Sequence, residues 1–383
     1  MATAVESLKR AGAIYERLGI EPIINAMGTQ TILGGSIMEP EVTQAMVDAS
    51  RVMIRLRDLS ERAGEVIAQH TGAEAGLVCA GAAAGMMLQA AACIAGKDPA
   101  KIKQLPDTSG MKNEIVVKWD QNSGYVQNWR QSGAKIVFVG STGRAHDWEI
   151  EGAIGEKTAA LAFTASRWYA DSFDGLDEMV SIGQRHGIPV IVDAAAMLPP
   201  PENLRRFIEH GADMVAFSGG KAIRGPQSAG ILCGREELVE AAAMNSSPNS
   251  SIGRPAKVCR EEIVGLMVAL ERYVERDHEA DQRRWREQCR EVVDAIIEIP
   301  GVTAVVAQDD WSRPVPEATI DLGDDWTGPT AEAISQSLAG GDPPIVIGVA
   351  RRPGEDLFIN PHGFLEGQAE LVAQRLRAAM TGE

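Results

Sequence analysis

The sequence predicts an α/β fold with a mainly parallel, seven-stranded sheet in a large domain and a smaller α/β domain after it. Seven short apolar runs, rich in Val and Ile and without polar alternation, lie between residues 72 and 234. Such runs are typical of strands that are buried on both faces. Helical patterns separate several of them, and alternating strands and helices form parallel sheets with helices on both faces. The predicted strands are residues 75–80, 113–119, 134–140, 159–165, 188–194, 213–219 and 229–234.

The helical segments between these runs have clear boundaries. Residues 82–96 form an alanine-rich segment that predicts a buried helix, whereas 175–187 and 202–211 are amphipathic and end in glycine. Glycine is a common helix stop because it adopts the left-handed conformation at low cost. The last two predicted strands are close together in the chain, which leaves room for one antiparallel strand there.

Changes in pattern along the chain predict four regions. Residues 1–45 form an N-terminal arm that is rich in glycine and threonine between 20 and 40, and 46–258 form the large domain. Residues 259–290 belong to one long helix, or two in series, and 291–383 form the small domain.

Composition excludes several classes of protein. The chain has 383 residues, 45% of them hydrophobic, and a formal net charge of −16. This charge argues against a nucleic-acid partner, because affinity for phosphate backbones comes from clustered Lys and Arg. No apolar run approaches the ~20 residues of a membrane helix. The five scattered cysteines and the absence of a secretory apolar core predict a cytoplasmic protein without a disulfide framework or a clustered metal site.

Three chemically distinctive features follow predicted strands, and ligands of open parallel sheets bind beyond the carboxyl ends of the strands. Gly81 and small alanines open a helix after the first strand, which suits a phosphate. Asp193 ends an apolar strand, where a carboxylate is costly without a partner. Lys221 lies between glycines after the sixth strand, where burial would make its amine a nucleophile. Each feature alone also has a structural explanation: close packing, a helix cap or a solvated lysine.

The combination is far more specific than any single feature. Asp193 and Lys221 are 28 residues apart, one strand–helix–strand step, which places them at neighbouring strand ends. A phosphate cradle, a carboxylate and a lysine in this order are what pyridoxal phosphate needs. The lysine forms the Schiff base, and the carboxylate keeps the pyridine nitrogen protonated so that the ring accepts electrons from the substrate Cα.

The chain resembles fold-type I pyridoxal-phosphate enzymes, and among them the selenocysteine synthase-like group, which includes enzymes similar to D-glucosaminate-6-phosphate ammonia-lyase. The resemblance spans almost the whole chain, and its most specific motif is "FSGGKAIRGPQ" at 217–227. Other matching stretches are "INAMGTQTILGGS" (24–36), "AGAAAGMMLQAAACIAG" (80–96), "NEIVVKWDQNSGY" (113–125), "IVDAAAMLPP" (191–200), "GRPAKVCREEIVGLMVALERY" (253–273) and "LFINPHGFLEG" (357–367).

The resemblance implies roles for individual residues. Lys221 and Asp193 are the expected catalytic residues, and both contact the cofactor. Gln121 occupies a position over the cofactor ring where relatives usually have histidine, and an amide cannot shuttle protons. The residues expected around the cofactor phosphate are Gly81, Ala82, Ala83 and Ser218.

The resemblance also implies a reaction class. We expect an external aldimine and a Cα carbanion of an amino-acid substrate, leading to β-elimination by a lyase of the ammonia-lyase type. Racemisation or epimerisation and aldol cleavage are the alternatives, since all share the carbanion. Transfer of selenium to seryl-tRNA is disfavoured by the acidic charge, and because the N-terminal extension that helps selenocysteine synthases to bind tRNA has no counterpart in the sequence given.

Substrate binding and assembly complete the expectations. A substrate carboxylate suits a bidentate arginine, and the N-terminal arm lies close to the active site in the family. The candidate substrate-binding residues are therefore Asn25, Thr29, Thr31, Arg167, Arg351 and Arg352, although each arginine also fits a surface position. Arg254 is expected to reach the cofactor phosphate of a neighbouring subunit in a homodimer, or in a higher assembly of dimers.

Overall fold

The computed structural model describes residues 2–166, 172–352 and 354–382. It divides the chain into two compact units, which are Met1–Ile37 with Asp277–Glu383, and Met38–Arg276. We call them the small unit and the large unit. The boundaries between the two units therefore fall after residue 37 and after residue 276, and the N-terminal segment is part of the same unit as the C-terminal segment. The finer boundaries at 45, 258 and 290 stay predictions.

The secondary structure alternates strands and helices along the described chain. The strands are β1 (Ile24–Ala26), β2 (Ala75–Cys79), β3 (Glu114–Lys118), β4 (Lys135–Val139), β5 (Thr158–Thr164), β6 (Val190–Asp193), β7 (Met214–Ser218), β8 (Gly230–Gly234), β9 (Val302–Ala307), β10 (Glu317–Leu322), β11 (Ile345–Arg352) and β12 (Glu355–Ile359). The helices are α1 (Ala2–Glu16), α2 (Pro40–Ser50), α3 (Leu56–Thr71), α4 (Gly81–Ala95), α5 (Pro99–Gln104), α6 (Gln127–Arg130), α7 (Asp147–Ala153), α8 (Phe173–His186), α9 (Asn203–Glu209), α10 (Glu236–Asn245), α11 (Arg260–Glu275), α12 (His278–Ile296), α13 (Ala331–Ala339) and α14 (Gln368–Thr381). None of the helices described is both long enough and apolar enough to cross a membrane.

The large unit contains the predicted seven-stranded sheet. Its strand order is β2-β8-β7-β6-β5-β3-β4. Strands β7, β6, β5, β3 and β4 pair in parallel, and β8 runs antiparallel to both β7 and β2. All seven predicted strands are therefore confirmed, as is an antiparallel strand among the last two. β3, β5, β6 and β7 are mostly buried, as expected for a sheet with helices on both faces, whereas the edge strand β4 is only partly buried.

Helix α4 lies in the core of this unit, as its alanine-rich sequence predicts. Most of its residues are buried, and they pack against apolar side chains of the sheet. Its one large buried polar side chain, Gln89, donates to the carbonyl oxygens of Val192 (2.9 Å) and Met214 (3.3 Å). The Gln89 oxygen accepts from the indole of Trp129 at 3.2 Å, so this buried amide is satisfied at both ends. Helix α4 is thus tied to β6 near its carboxyl end and to the first residue of β7.

The small unit has its own sheet and core. Strand order is β1-β11-β12-β10-β9, with β1 parallel to β11 and the other pairs antiparallel. Its core combines apolar residues of α12 and α14 with those of the strands. The segment predicted as one long helix or two is two, α11 in the large unit and α12 in the small unit.

Close backbone approach at Gly230 generates a testable prediction. A Cβ at Gly230 would lie 2.5 Å from the carbonyl carbon of Gly81 and 2.8 Å from the nitrogen of Ala82, which are backbone atoms that cannot rotate away. Gly230→Ala should therefore lower the free energy of unfolding by about 1–3 kcal/mol, as overpacking does. Urea unfolding measures this change.

Gly152→Ala is the matched control, because a Cβ at Gly152 in α7 meets nothing within 4 Å. Alanine in a helix is favoured over glycine by roughly 0.5–1 kcal/mol, so this variant should be neutral or slightly more stable. Equal unfolding free energies for Gly230→Ala and the wild type would contradict the packing argument.

Candidate active site

The polar strand ends of the large unit meet at one edge of the sheet. β5, β6 and β7 are parallel neighbours and end at Thr164, Asp193 and Ser218. In the pairing register Thr164 is opposite Asp193. β2 runs in the same direction as β7, since both are antiparallel to β8, and its last residue Cys79 registers with Gly230, as Ser218 does. The start of α4 and the ends of β5, β6 and β7 thus share the edge where ligands of parallel sheets bind.

Asp193 is a buried carboxylate at this edge. Its side chain is enclosed, and Oδ1 accepts a hydrogen bond of 3.0 Å from the backbone N–H of Ala195. Burial raises the pKa of the Asp193 carboxyl above its ordinary value, and the Ala195 N–H and the charge of Lys221 act in the opposite direction. Asp193 and Lys221 are therefore close enough to interact electrostatically, at the ends of neighbouring strands.

Lys221 lies in a compact turn that follows β7, and we call residues 219–225 the lysine turn. The turn is closed by hydrogen bonds from the N–H of Gly225 to the carbonyl of Gly219 (2.8 Å) and from the N–H of Arg224 to the carbonyl of Lys221 (3.0 Å). A Cβ at Gly220 would lie 2.3 Å from the Cα of Gln227. The two glycines before Lys221 are therefore required by close packing, which explains the "SGGK" spacing.

The start of α4 has the features of an anion site. Gly81 adopts a φ of +71°, and the helix begins without a side-chain cap hydrogen bond. The N–H groups of the first turn are therefore available together with the positive end of the helix dipole. Ala82 is buried and Ala83 is exposed, so small side chains leave the first turn open to a phosphate.

Gln121 and Thr164 form a buried polar pair beside Asp193. Gln121 is fully buried, and its Oε1 accepts from the backbone N–H of Thr164 at 2.8 Å. The Thr164 hydroxyl is also buried, and Oγ1 makes no hydrogen bond with the described part of the chain. A buried hydroxyl without a partner costs about 1–3 kcal/mol, so its presence at a ligand-binding edge favours a ligand as the partner.

Thr164 was missed by the sequence analysis. The signal was present: a hydroxyl ends the apolar strand β5, and the Asp193 carboxyl ends β6, the next strand in the sequence. Threonine is common in strands, so the hydroxyl attracts no attention until the register with Asp193 is known.

These residues fit pyridoxal phosphate. A primary amine, a buried carboxylate, an uncapped helix start with small residues and an unsatisfied buried hydroxyl lie along one strand edge. They match the aldehyde, the ring nitrogen, the phosphate and a remaining polar atom of the cofactor.

Other predicted residues belong to different parts of the chain. Asn25 and Thr29 lie in the small unit, as does Thr31, which begins a short 3-10 helix. The Asn25 amide serves its own loop: Nδ2 donates to the carbonyl of Gly28 (2.8 Å), and Oδ1 accepts from the N–H of Met27 (2.9 Å).

The candidate arginines are less well defined. Arg351 and Arg352 end β11 in the small unit, and their side chains are not described. Arg167 lies outside the described residues. Arg254 is exposed between α10 and α11 in the large unit. The roles of all candidate site residues stay predictions.

Removing the Asp193 charge should stabilise the cofactor-free protein. A raised native pKa means that the folded state holds the proton more tightly than the unfolded state, so the free energy of unfolding falls as pH rises through that pKa. Asp193→Asn avoids this loss, which amounts to about 1.4 kcal/mol per unit of pKa shift. The melting temperature of the variant should exceed that of the wild type at pH 8, and the difference should shrink toward pH 5.

Saturating pyridoxal phosphate provides the control for this experiment. A ligand stabilises the state that binds it, so the wild type should gain more from the cofactor than Asp193→Asn. A difference in melting temperature that is independent of pH would contradict the assigned burial of the charge.

Comparison with known proteins identifies the family. The model of the family "SelA: L-seryl-tRNA selenium transferase" matches residues 126–284. D-glucosaminate-6-phosphate ammonia lyase of Salmonella typhimurium is 34% identical over 369 residues, covering 95% of this chain and 97% of that protein. The 5'-C-glycyluridine monooxygenase-decarboxylase of a Streptomyces species is 33% identical, covering 94% and 90%.

Solved structures agree with this relationship. The structure of D-glucosaminate-6-phosphate ammonia-lyase matches with a TM-score of 0.82 at 34% identity and covers 96% of this chain and 97% of that chain. A structure of SPT with pyridoxal phosphate matches with a TM-score of 0.60, covering 94% and 87%, and at 15% identity it shows the fold alone. The chain is therefore a pyridoxal-phosphate-dependent enzyme of fold type I that belongs to the selenocysteine synthase-like family.

Proposed function

We propose that this enzyme is a lyase that eliminates a β-substituent and then ammonia from an amino acid, with Lys221 and Asp193 as its catalytic residues. The observation that carries the proposal is geometric: Asp193 ends β6, and the neighbouring parallel strand β7 leads directly into the lysine turn. When bound, pyridoxal phosphate supplies an aldehyde that condenses with amines and a ring that accepts electrons from the substrate Cα.

The residues of the large unit divide the work between binding and proton transfer. The Lys221 amine binds the cofactor aldehyde in the resting enzyme and, once displaced by the substrate amine, takes the proton from Cα. Asp193 holds the proton of the ring nitrogen. The phosphate is bound by the first turn of α4 at Gly81, Ala82 and Ala83 and by the Ser218 hydroxyl. The Thr164 hydroxyl donates to the bound ligand.

The net reaction is balanced for a β-hydroxy amino acid. Lys221 removes the Cα proton, and the β-hydroxyl leaves as water after protonation, which forms a double bond between Cα and Cβ. Protonation at carbon 3 and loss of a proton from nitrogen convert this enamine to an imine, and hydrolysis of its C–N double bond releases ammonia and a 2-keto-3-deoxy acid. The water lost in the elimination is regained in the hydrolysis. Similarity to the Salmonella ammonia lyase favours a 2-amino-2-deoxy sugar acid, with or without a terminal phosphate, as the substrate.

Gln121 favours elimination over racemisation. Racemisation needs a second acid or base on the face of the substrate opposite Lys221, and the resemblance places Gln121 over the cofactor ring, where relatives usually have histidine. An amide does not titrate, and the Gln121 oxygen is already committed to the Thr164 N–H. Aldol cleavage needs no second base at Cα, so it remains the alternative, followed by racemisation.

Transfer of selenium to a tRNA ranks below elimination, aldol cleavage and racemisation. The family whose model matches residues 126–284 is named for that activity. However, a chain with a net charge of −16 has little electrostatic attraction for tRNA. We therefore propose a small-molecule substrate and no nucleic-acid partner.

The substrate carboxylate is assigned to an arginine. Arg167, Arg351 and Arg352 are the candidates, because a guanidinium binds a carboxylate through two parallel hydrogen bonds. Asn25, Thr29 and Thr31 are proposed to contact the polar substituents of the substrate.

We further propose a cytoplasmic homodimer. Exposed apolar side chains concentrate around the end of α2 in the large unit, where Val47, Val52, Met53 and Ile54 are all at least 46% exposed. Such a patch favours burial in an interface. The five cysteines are free, which suits a reducing compartment.

A substrate panel in heavy water tests the lyase assignment. With 2-amino-2-deoxy-D-gluconate, its 6-phosphate, D-serine and L-serine, the wild type should release ammonia and a keto acid from at least one sugar acid, with deuterium incorporated at carbon 3 of the product. Lys221→Ala should lower turnover by at least about 10³-fold, because it removes both the attachment point and the base.

Borohydride reduction tests the assignment of Lys221 without an activity measurement. Mass spectrometry should find the reduced cofactor on Lys221 in the wild type and no attached cofactor in Lys221→Ala. Exchange at Cα with inversion and without ammonia would replace the lyase by a racemase, and an aldehyde product would indicate aldol cleavage.

Complementation tests whether Arg254 acts in a neighbouring subunit. Lys221→Ala and Arg254→Ala chains should each be inactive alone, whereas co-expressed in equal amounts they should recover about a quarter of the sites, since each mixed dimer has one intact site. Light scattering establishes the dimer independently. A fully active monomer, or no recovery in proven mixed dimers, would contradict the proposal.

A further inference from the structure

Arg276 contacts the lysine turn from outside. It is the last residue of the large unit and follows directly after α11. Its Nη1 donates to the carbonyl oxygen of Ala222, the residue after Lys221, at 3.3 Å. The side chain is only 14% exposed, so this hydrogen bond is shielded from water. A charged donor therefore contacts the backbone one peptide away from the lysine that carries the chemistry.

Glu39 fixes the guanidinium of Arg276. Nη2 of Arg276 donates to Oε1 of Glu39 at 2.7 Å, and Nε of Arg272 donates to the other oxygen of the same carboxylate. Burial raises the pKa of Glu39, but the hydrogen bond from Arg272 and the charge of Arg276 outweigh it and keep this pKa below its ordinary value. Glu39 is thus a fixed anion, and Arg276 can swing away from the turn only by breaking an ion pair.

Arg276 also has an aromatic neighbour. Its guanidinium carbon lies 5.6 Å from the centre of the Tyr273 ring, which is fully buried. A cation at this distance from a ring is attracted to its face. The Ala222 carbonyl, the Glu39 carboxylate and the Tyr273 ring therefore all restrain the position of the Arg276 guanidinium.

The lysine turn needs such an external support because its backbone is strained. Arg224 has a φ of +59°, the only positive φ of a non-glycine residue in the described ranges. Left-handed backbone is unfavourable for a residue with a Cβ and persists only where the surroundings enforce it. The hydrogen bonds inside the turn involve the carbonyls of Gly219 and Lys221, and the Arg276 guanidinium adds a hydrogen bond from outside the turn at the carbonyl of Ala222.

We propose that Arg276, held by Glu39, is a positioning residue for Lys221. This inference rests on the proposed role of Lys221. In this proposal Arg276 contacts neither substrate nor cofactor. Its guanidinium fixes the Ala222 carbonyl, one peptide beyond Lys221, and thereby the direction from which the Lys221 amine approaches Cα. Misplacement of a reacting group by about 1 Å can cost on the order of 10²-fold in rate.

Arg276→Met tests the proposal against a matched control at the other end of α11. Arg260→Met also removes a guanidinium that donates to backbone carbonyls, those of Ala49 and Ser50, and that pairs with a carboxylate, Glu261. Arg276→Met should lower kcat by about 10- to 100-fold, with KM changed less than about threefold. Arg260→Met should stay within about threefold of the wild type in kcat, even though it also removes packing and hydrogen bonds.

A measurement on the cofactor-free protein separates positioning from mere stability. Lys221 is acetylated with limiting acetic anhydride between pH 6 and 9, and mass spectrometry compares its rate with that of the exposed Lys103. The pH profile of this rate ratio should change in Arg276→Met and be unchanged in Arg260→Met. Arg276→Lys, which keeps a cation and a donor, should restore kcat at least partly.

The outcomes distinguish this inference from the proposed function. If Arg276→Met does not fold, Arg276→Lys and Glu39→Gln provide the same readouts with smaller changes, and each should lower kcat more than Arg260→Met does. Equal kcat values and equal acetylation profiles for these variants and Arg260→Met would overturn the positioning role. Retention of covalently bound cofactor by Lys221→Ala would instead overturn the proposed function.

Discussion

A carboxylate buried at the end of an apolar strand is the constraint on which the large unit depends. Asp193 is 6% exposed. Its burial raises the pKa of the carboxyl, and the hydrogen bond from the Ala195 N–H and the charge of Lys221 offset this rise only in part. A buried carboxylate destabilises the protein without cofactor, whereas a cationic ring nitrogen beside it would stabilise its charge. The parallel sheet makes the arrangement possible, because it delivers the ends of β5, β6 and β7 to one edge while their interiors supply the core.

Two further features near the ends of β5 and β7 lower the stability of the protein without cofactor. The Thr164 hydroxyl is buried without a hydrogen bond to the described residues, and Arg224 has strained backbone. Each costs free energy that a sequence selected for stability alone would recover. The same unit contains buried or half-buried groups that are satisfied, such as Gln89 of α4, which bonds to β6 and β7, and the Glu39 carboxylate, which pairs with Arg276. Satisfied and unsatisfied groups therefore lie in one unit.

Much of the fold and the centre of the site could be predicted from the sequence because local pattern encodes them. Apolar runs marked all seven strands of the large sheet, and the glycine stops marked the ends of α8 and α9. Asp193 and Lys221 could be paired because one strand–helix–strand step separates parallel neighbours. Glu39 and Arg276 could not be paired, since 237 residues separate them and a charged helix end resembles a solvated surface in the sequence. The inclusion of residues 1–37 in the small unit depends on β1 pairing with β11, which is equally non-local.

The site also shows why the family supports several reactions on one frame. In the proposed mechanism Lys221, Asp193 and the start of α4 provide what every cleavage at Cα requires, and they lie entirely in the large unit. The choice between elimination, aldol cleavage and racemisation depends on groups that touch the substrate's other substituents, and these vary without disturbing the strand ends. Gln121 illustrates the point. It is a non-titrating, buried side chain that accepts a hydrogen bond from the Thr164 backbone, and in the proposed mechanism it limits which protons can be moved without altering the lysine turn or the Asp193 carboxylate. The proposed reaction type thus depends on the side chains around the substrate, and this is why the fold and the cofactor follow from the sequence more readily than the substrate does.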